Sequence, residues 1–165
     1  MSERDLEAAV RAVRGEGRTV AFANGCFDVL HVGHVRYLAD AKLQADRLVV
    51  AINDDDSVKG LKGPGRPILS AADRAELVAA LESVDYVLLF SDPDVNRLLR
   101  LFKPDVHCKG TDYGAPERVP EYATVRAYGG RTVLVGDPKD HATRDLIAKV
   151  KALPDPAASR DRGRG

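Results

Sequence analysis

The fold of this chain is constrained most by strongly apolar segments that alternate with helical patterns. The run RLVVAIN, residues 47–53, is almost entirely apolar, as is typical of a strand covered on both faces. Strands are also predicted at TVAFAN, DYVLLF, DVHC and RTVLVG. Because strands and helices alternate strictly, the sequence predicts an α/β fold, a doubly wound parallel five-stranded sheet with helices on both faces.

The predicted helices are amphipathic segments with recognisable ends. Ser70 with Asp73, and Ser91 with Asp94, form capping patterns at two predicted helix starts. The segment DDDSVKGLKGPGRPIL is predicted as a loop because glycine and proline interrupt it. Helices are expected at LEAAVRAV, residues 35–46, SAADRAELVAALESV, SDPDVNRLLRLF, residues 119–128 and TRDLIAKVKAL.

Chain length and charge limit the classes of protein and of partner. The 165 residues suit one domain, expected at 1–153, followed by a flexible tail at 154–165. Lys plus Arg and Asp plus Glu number 25 each, so no general field attracts nucleic acid or membranes. Cys26 and Cys108 suggest no disulfide framework, and the first residues lack the apolar core of a signal peptide. We therefore expect a cytoplasmic protein without nucleic-acid or membrane partners.

The functional site is expected at the carboxyl ends of the strands, where sheets of this kind bind their ligands. Asn24, Gly25 and Cys26 follow the first strand directly, and small residues there let backbone N–H groups approach an anion. Other segments that follow strands are NDDDSVKGLKGPGR, FSDPD, KGTDYG and GDPKDHATR.

His31 and His34 flank Gly33 at the predicted start of a helix. A helix N-terminus favours anions and imidazoles donate hydrogen bonds, so we expect both side chains to point at one phosphate group and to stabilise its charge. Surface or helix-capping histidines are one alternative. A zinc site with Cys26 is another, although the remaining ligands lack a familiar spacing. We assign no metal ligands.

A local excess of positive charge follows the second strand. Residues 57–72 contain Lys59, Lys62 and Arg66 and no acidic residue, and Arg74 follows at a helix start. A solvated loop is the alternative, but the location beside the histidines favours phosphate binding.

Two further strand ends carry polar groups. KGTDYG supplies Lys109, Asp112 and Tyr113, which suit a pocket for a base or a ribose. Thr143 and Arg144 begin the last predicted helix and offer a second anion site, with a plain N-cap as the alternative for Thr143. GxGxxG after the first strand, GxxxxGK[ST] and GxSxG are missing, which disfavours dinucleotide dehydrogenases, P-loop proteins and nucleophile-elbow hydrolases.

Together these segments resemble the nucleotidyltransferase superfamily that carries a His-x-Gly-His motif, here HVGH after NGCFD. Over about residues 18–152 the chain resembles the adenylyltransferase domain of ADP-heptose synthases. The blocks that carry the likeness are NGCFDVLHVGHVRYLADAK, DRLVVAINDDDSVKGLKGPGRPI, DRAELVAALESVDYV, LFKPDVHCKGTDY and VRAYGGRTVLV.

The resemblance implies a Rossmann-like fold and the transfer of AMP from ATP, with Mg²⁺, to D-glycero-β-D-manno-heptose 1-phosphate. The expected catalytic residues are His31, His34, Lys62 and Arg144. The expected nucleotide-binding residues are Asn24, Gly25, Cys26, Phe27, Asp28, Gly33, Lys109, Gly110, Asp112, Tyr113 and Thr143. The expected sugar-phosphate contacts are Asp28, Lys59, Lys62, Arg66 and Arg74. A homodimer is also in keeping with the family.

The chain departs from the family pattern at three places. The Ser/Thr-rich loop that touches phosphates in the family reads Ala142-Thr143-Arg144 here, and His107 and Cys108 stand where apolar residues are common. We expect no fused kinase domain of the kind that the family often carries upstream, and another chain is then expected to make the sugar 1-phosphate. The alternatives are a cytidylyltransferase acting on glycerol 3-phosphate or a similar alcohol phosphate, and a non-catalytic nucleotide-binding module.

Overall fold

A parallel five-stranded sheet forms the centre of the protein. The computed structural model describes residues 1–137 and 143–153, so the predicted tail lies outside the described residues. Every strand pair is parallel, and the strand order is β3-β2-β1-β4-β5. The strands are β1 (Val20–Gly25), β2 (Arg47–Asn53), β3 (Tyr86–Phe90), β4 (Val106–Gly110) and β5 (Arg131–Val135). The predicted sheet is thereby confirmed.

Helices connect the strands, and several begin at a side chain that caps the backbone. Ser2, Asp54 and Ser70 each accept a hydrogen bond from the N–H group three residues later. One such cap contributes about 1 kcal/mol to helix stability. The helices are α1 (Glu3–Gly15), α2 (Val32–Lys42), α3 (Asp55–Lys62), α4 (Ala71–Ala79), α5 (Asn96–Phe102), α6 (Tyr122–Ala127) and α7 (Thr143–Lys151), with 3₁₀ turns at Thr111–Tyr113 and Pro116–Arg118. None of the described helices is long and apolar enough to cross a bilayer.

Each face of the sheet packs against its own set of helices. Phe22 and Val49 lie in one apolar cluster with Leu6 of α1 and Phe102 of α5. The alternate strand residues face the other way, where a second cluster contains Leu38 of α2 and Val78 of α4. Burial of each large apolar side chain contributes roughly 1.5–3 kcal/mol. Two covered faces explain why β2 is apolar throughout.

The structure corrects two local predictions. Helix α3 occupies much of the segment predicted as a loop, since the Asp54 cap and the fully buried Val58 outweigh the cost of Gly60 inside the helix. The capping pattern of Ser91 and Asp94 is not formed, because α5 begins later. The Asp94 carboxylate instead accepts a hydrogen bond from the N–H of Asn96 at 2.8 Å.

The winding of the sheet reverses beside β1. The chain passes outward through β2 to β3 and then crosses back to β4 on the other side of β1. The carboxyl ends of β1 and β4 are therefore neighbours from which the following segments diverge. Such a point leaves a crevice above the sheet.

Candidate functional site

A cleft of about 620 Å³ opens where β1 and β4 end. It is lined by the segments after β1 and β4, the first turns of α2, the loop after α3 and the end of β5. Most of the predicted site residues line this cleft. They are Asn24, Gly25, Cys26, Phe27, His31, Gly33, His34, Lys62, Arg66, Lys109, Gly110, Asp112, Tyr113 and Thr143.

The two histidines stack on each other at the start of α2. His31 is the N-cap residue, and the ring centroids of His31 and His34 lie 3.8 Å apart. The backbone N–H of His31 donates to Nδ1 of His34 at 3.4 Å. Nδ1 of His34 is therefore an acceptor, and the proton of the neutral ring is carried by Nε2. The two histidines therefore cap helix α2 and also line the cleft, so the helix-capping interpretation does not exclude a role in the site.

The charge state of His34 follows from its surroundings. Burial, together with His31 and Lys62 nearby, lowers its pKa to about 4. The ring of Phe27 lies 5.3 Å from it and contributes to this dry environment. At neutral pH the His34 ring is uncharged and offers one N–H donor. No group of three His, Cys, Asp or Glu side chains within residues 1–137 and 143–153 could hold a metal, so the zinc alternative gains no support.

Two cations reach the cleft from the segment after β2. Lys62 is the last residue of α3, and Arg66 lies in the following loop. A guanidinium nitrogen of Arg66 forms an ion pair of 2.5 Å with the carboxylate of Asp28. Lys59 is exposed on α3 and is not among the described residues that line the cleft. Of the three basic residues in this segment, Lys62 and Arg66 line the cleft, whereas Lys59 lies outside it.

The carboxylate of Asp28 anchors the loop after α3 and is not among the groups that line the cleft. It is 1% exposed and accepts hydrogen bonds from the backbone N–H groups of Ile68 and Leu69 at 2.9 and 3.1 Å. Those hydrogen bonds and the ion pair with Arg66 compensate the negative charge of the buried carboxylate. Asp28, expected to contact both substrates, therefore holds the loop that carries Arg66.

Arg74, expected as a substrate contact, is also an internal residue. Its side chain is 0% exposed and donates to the carbonyl oxygens of Leu69 at 3.1 Å and Cys26 at 2.5 Å. It also forms an ion pair of 2.8 Å with Asp55. A buried guanidinium needs partners within the protein, and these contacts supply them. Arg74 therefore ties α4 to the segments that follow β1 and β2.

Lys109 is a largely buried cation at the β4 side of the cleft. Its Nζ lies 3.2 Å from Oδ1 of Asn24 and 3.3 Å from a carboxylate oxygen of Glu121. It also lies 5.7 Å from the centre of the Tyr113 ring. Gly110 follows, and a Cβ there would come within 2.6 Å of the Asp112 carboxylate. The ammonium group of Lys109 is thus held in place by Asn24 and Glu121. The backbone at Gly110 passes too close to Asp112 to accommodate a larger side chain.

Thr143 closes the cleft at the start of α7. Its hydroxyl donates to the carbonyl oxygen of Asp28 at 3.0 Å, and the residue is buried. The side chain of Arg144 and the whole of Ala142 lie outside what the structure describes.

The sequence did not identify five residues that also line the cleft, namely Tyr37, Thr111, Val135, Gly136 and Asp137. The Tyr37 hydroxyl donates to the carbonyl oxygen of Cys108 at 2.7 Å, and burial raises the pKa of that phenol well above its usual value. Gly136 has φ +88, and a Cβ there would lie 3.2 Å from Cα of Tyr37. Tyr37 stands three residues after His34, a helical spacing that was available as a signal.

The cleft is suited to a polyanion with a flat, partly apolar group. It presents the imidazoles of His31 and His34 together with the ammonium groups of Lys62 and Lys109. Aromatic faces lie alongside these polar groups, as is usual in small-molecule sites.

Known proteins are similar to this chain in sequence and in fold. The sequence model of the Cytidylyltransferase-like family matches residues 22–153. Bifunctional protein HldE of Pseudomonas entomophila is 45% identical over 151 residues, which cover 92% of this chain and 32% of that protein. Bifunctional protein HldE of Aeromonas hydrophila is 44% identical over 151 residues, which again cover 92% of this chain and 32% of that protein. This chain therefore spans about a third of the length of these relatives.

A solved structure agrees with the sequence comparison. The lipopolysaccharide core biosynthesis protein from Thermoplasma volcanium superposes with a TM-score of 0.62 and 26% identity. The match covers 74% of this chain and 100% of that one. Sequence match, strand order and cleft agree, and the chain belongs to the Cytidylyltransferase-like family.

Proposed function

We propose that the chain is a nucleotidyltransferase that transfers AMP from ATP to a sugar 1-phosphate, with heptose 1-phosphate as the preferred acceptor. One observation carries this proposal. The stacked rings of His31 and His34 share a cleft with Lys62 and Lys109, at the point where the sheet reverses its winding. The similarity to the HldE proteins and to a lipopolysaccharide core biosynthesis protein supports this choice of acceptor.

The proposed reaction joins two phosphates without an intermediate on the protein. An oxygen of the sugar phosphate attacks the α-phosphorus of ATP, and the bond from that phosphorus to the pyrophosphate oxygen breaks. The second pKa of a phosphate monoester is about 6, so the attacking oxygen is already ionised at pH 7. The protein needs to orient two anions and stabilise charge, and it needs no strong general base.

The roles of the residues follow from their donors. Nε2 of His34 donates to an oxygen of the triphosphate, where negative charge develops as pyrophosphate leaves. Lys62 and Arg66 lie on the side from which the second phosphate enters. Lys109 and Tyr113 lie on the nucleotide side. The start of α7 at Thr143 offers backbone N–H groups to the triphosphate.

Mg²⁺ is part of this proposal as a companion of ATP. The described residues contain no group of three His, Cys, Asp or Glu side chains that could hold a metal alone. Mg²⁺ is commonly bound by one or two carboxylates together with substrate phosphates and water, and Asp112 and Asp137 line the cleft. When bound, the ion neutralises charge on the phosphates.

The remaining expectations belong to the same proposal. Residues 1–153 form the nucleotidyltransferase domain, the reaction takes place in the cytoplasm, and the active species is a homodimer. Sedimentation equilibrium measures the last of these directly.

Pyrophosphate release by the purified chain tests the proposal. ATP, CTP and GTP are each combined with heptose 1-phosphate, glucose 1-phosphate or glycerol 3-phosphate, with the His34→Ala protein as the control for contaminating activity. We expect the highest kcat/KM for ATP with heptose 1-phosphate. A preference for CTP with glycerol 3-phosphate supports the cytidylyltransferase alternative instead. Nucleotide binding without pyrophosphate release for any pair supports a non-catalytic module.

A further inference from the structure

His107 is a polar residue in the middle of the sheet that the proposed chemistry does not use. It lies on β4 opposite Phe22 of β1 and is 0% exposed. Its neighbours include the ring of Phe22, with centroids 6.4 Å apart, and Thr132, its register partner on β5. An apolar side chain suits such a position better, so the contacts of the imidazole indicate its role.

The imidazole of His107 points to the side chain of Asn24 at the edge of the cleft. Nε2 of His107 lies 3.1 Å from Oδ1 of Asn24, and Nζ of Lys109 lies 3.2 Å from the same atom. An ammonium group has only donors, so the atom of Asn24 beside it must be the oxygen. Nε2 of His107 must then carry a proton to donate to that oxygen. The orientation of the Asn24 amide is thereby fixed by two donors.

The other end of this amide is a pair of donors. With its oxygen committed to His107 and Lys109, the NH₂ group of Asn24 faces away from them, and Asn24 lines the cleft. We propose that His107 is a positioning residue that, through Asn24, presents this NH₂ group to an oxygen of the nucleoside triphosphate. The inference rests on the proposed function, because it names a further contact within the same site.

Two properties of His107 support this assignment. Burial and the nearby Lys109 lower its pKa to about 3, so the ring stays neutral and its tautomer is set by Asn24 at physiological pH. Nδ1 of His107 is buried without a hydrogen-bond partner among the described residues. An unpaired buried nitrogen costs stability, so an apolar side chain of similar size would suit the core at least as well as this imidazole.

Four variants separate a positioning role from a structural one. His107→Leu removes the donor to Asn24, His107→Gln retains a donor, and Asn24→Ala removes the group that is positioned. Cys108→Val is the matched control, because Cys108 is also fully buried on β4 but lies in the cluster on the opposite face of the sheet. The readouts are the Kd for ATP by titration calorimetry, KM and kcat in pyrophosphate release, and Tm.

We expect His107→Leu to raise the Kd and KM for ATP about five- to tenfold, the effect of one lost hydrogen bond, without lowering Tm. His107→Gln restores most of the affinity. In the Asn24→Ala background, His107→Leu adds less than about twofold, because its partner is already missing. Cys108→Val leaves the Kd for ATP unchanged.

Three results overturn the inference while leaving the proposed function standing. They are an unchanged Kd for ATP in His107→Leu, an undiminished effect of that variant in the Asn24→Ala background, and a loss of affinity in Cys108→Val equal to that in His107→Leu. A wild-type chain that binds no nucleotide overturns both proposals. Nitrogen NMR of the His107 ring tests the positioning contact without any nucleotide. A proton on Nε2 supports it, and a proton on Nδ1 overturns it.

Discussion

The imidazole rings of His31 and His34 lie 3.8 Å apart and 26° from parallel at the first turn of α2. Two imidazolium ions at this distance repel each other, which is one reason why the pKa of His34 falls to about 4. A neutral ring with its proton on Nε2 is a directed donor that is already in place before any ligand binds. Such pre-organised donors stabilise charge that develops in a transition state.

His34→Ala is expected to lower kcat about 10²–10³-fold, by analogy with the removal of one oxyanion donor. His34→Gln is the matched variant, because its amide nitrogen reaches about as far as Nε2 of the imidazole, and it should recover part of the loss. Steady-state pyrophosphate release measures both. Unchanged turnover in His34→Ala would contradict the role of this ring.

Lys62→Ala is expected to raise the KM for the phosphate acceptor about tenfold or more, since a charged hydrogen-bond partner is lost. Lys59→Ala removes a cation from the same helix that is not among the described cleft-lining residues, and we expect a change below threefold, or roughly 0.6 kcal/mol. Initial rates at varied acceptor concentration distinguish the two variants. Equal effects would show that general charge, and not position, attracts the substrate.

Arg74→Leu is expected to lower the free energy of unfolding by about 3 kcal/mol, because it leaves the acceptors at Cys26 and Leu69 without their donor. Arg100→Leu, at an exposed position on α5, serves as the control and should change stability by about 0.5 kcal/mol or less. Urea unfolding followed by circular dichroism gives both values. A loss below 1 kcal/mol, roughly the effect of one ordinary hydrogen bond, would argue against an anchoring role.

Stability should fall as the pH is lowered below about 6.5, the usual pKa of histidine. The unfolded chain takes up protons on His34 and His107 near that pH, whereas the folded protein does so only near pH 4 and 3. Between these values the unfolded state binds more protons, and one excess proton removes about 1.4 kcal/mol per pH unit. Urea unfolding at pH 7, 6 and 5 measures this slope. In His34→Gln the dependence of stability on pH should be weaker than in the wild type. An equal dependence in both proteins would contradict the depressed pKa of His34.

The strands could be predicted from the sequence better than the segment after β2. RLVVAIN has the composition of a doubly covered strand, and β2 covers that run. Helix α3 could not be predicted, because Gly60 and the following Gly63 and Pro64 are strong local signals against a helix. The helix depends on Val58, whose burial against the rest of the protein is not visible in a local pattern.

Position along the chain was a good guide to which residues line the cleft. Residues placed directly after strands, such as Asn24 and Lys109, line the cleft because parallel strands end at the same edge. Charge alone was a poorer guide. Arg74 and Asp28 carry the expected charges, yet their partners are inside the protein, and only the fold determines which side chains turn inward.

A crystal structure with the slowly hydrolysed analogue α,β-methylene-ATP tests the central claim most directly. We predict a phosphate oxygen within about 3.2 Å of Nε2 of His34, with the ring of His31 beside the same triphosphate. An analogue bound elsewhere on the protein, or bound in the cleft with its phosphates turned away from both histidines, would contradict the claim.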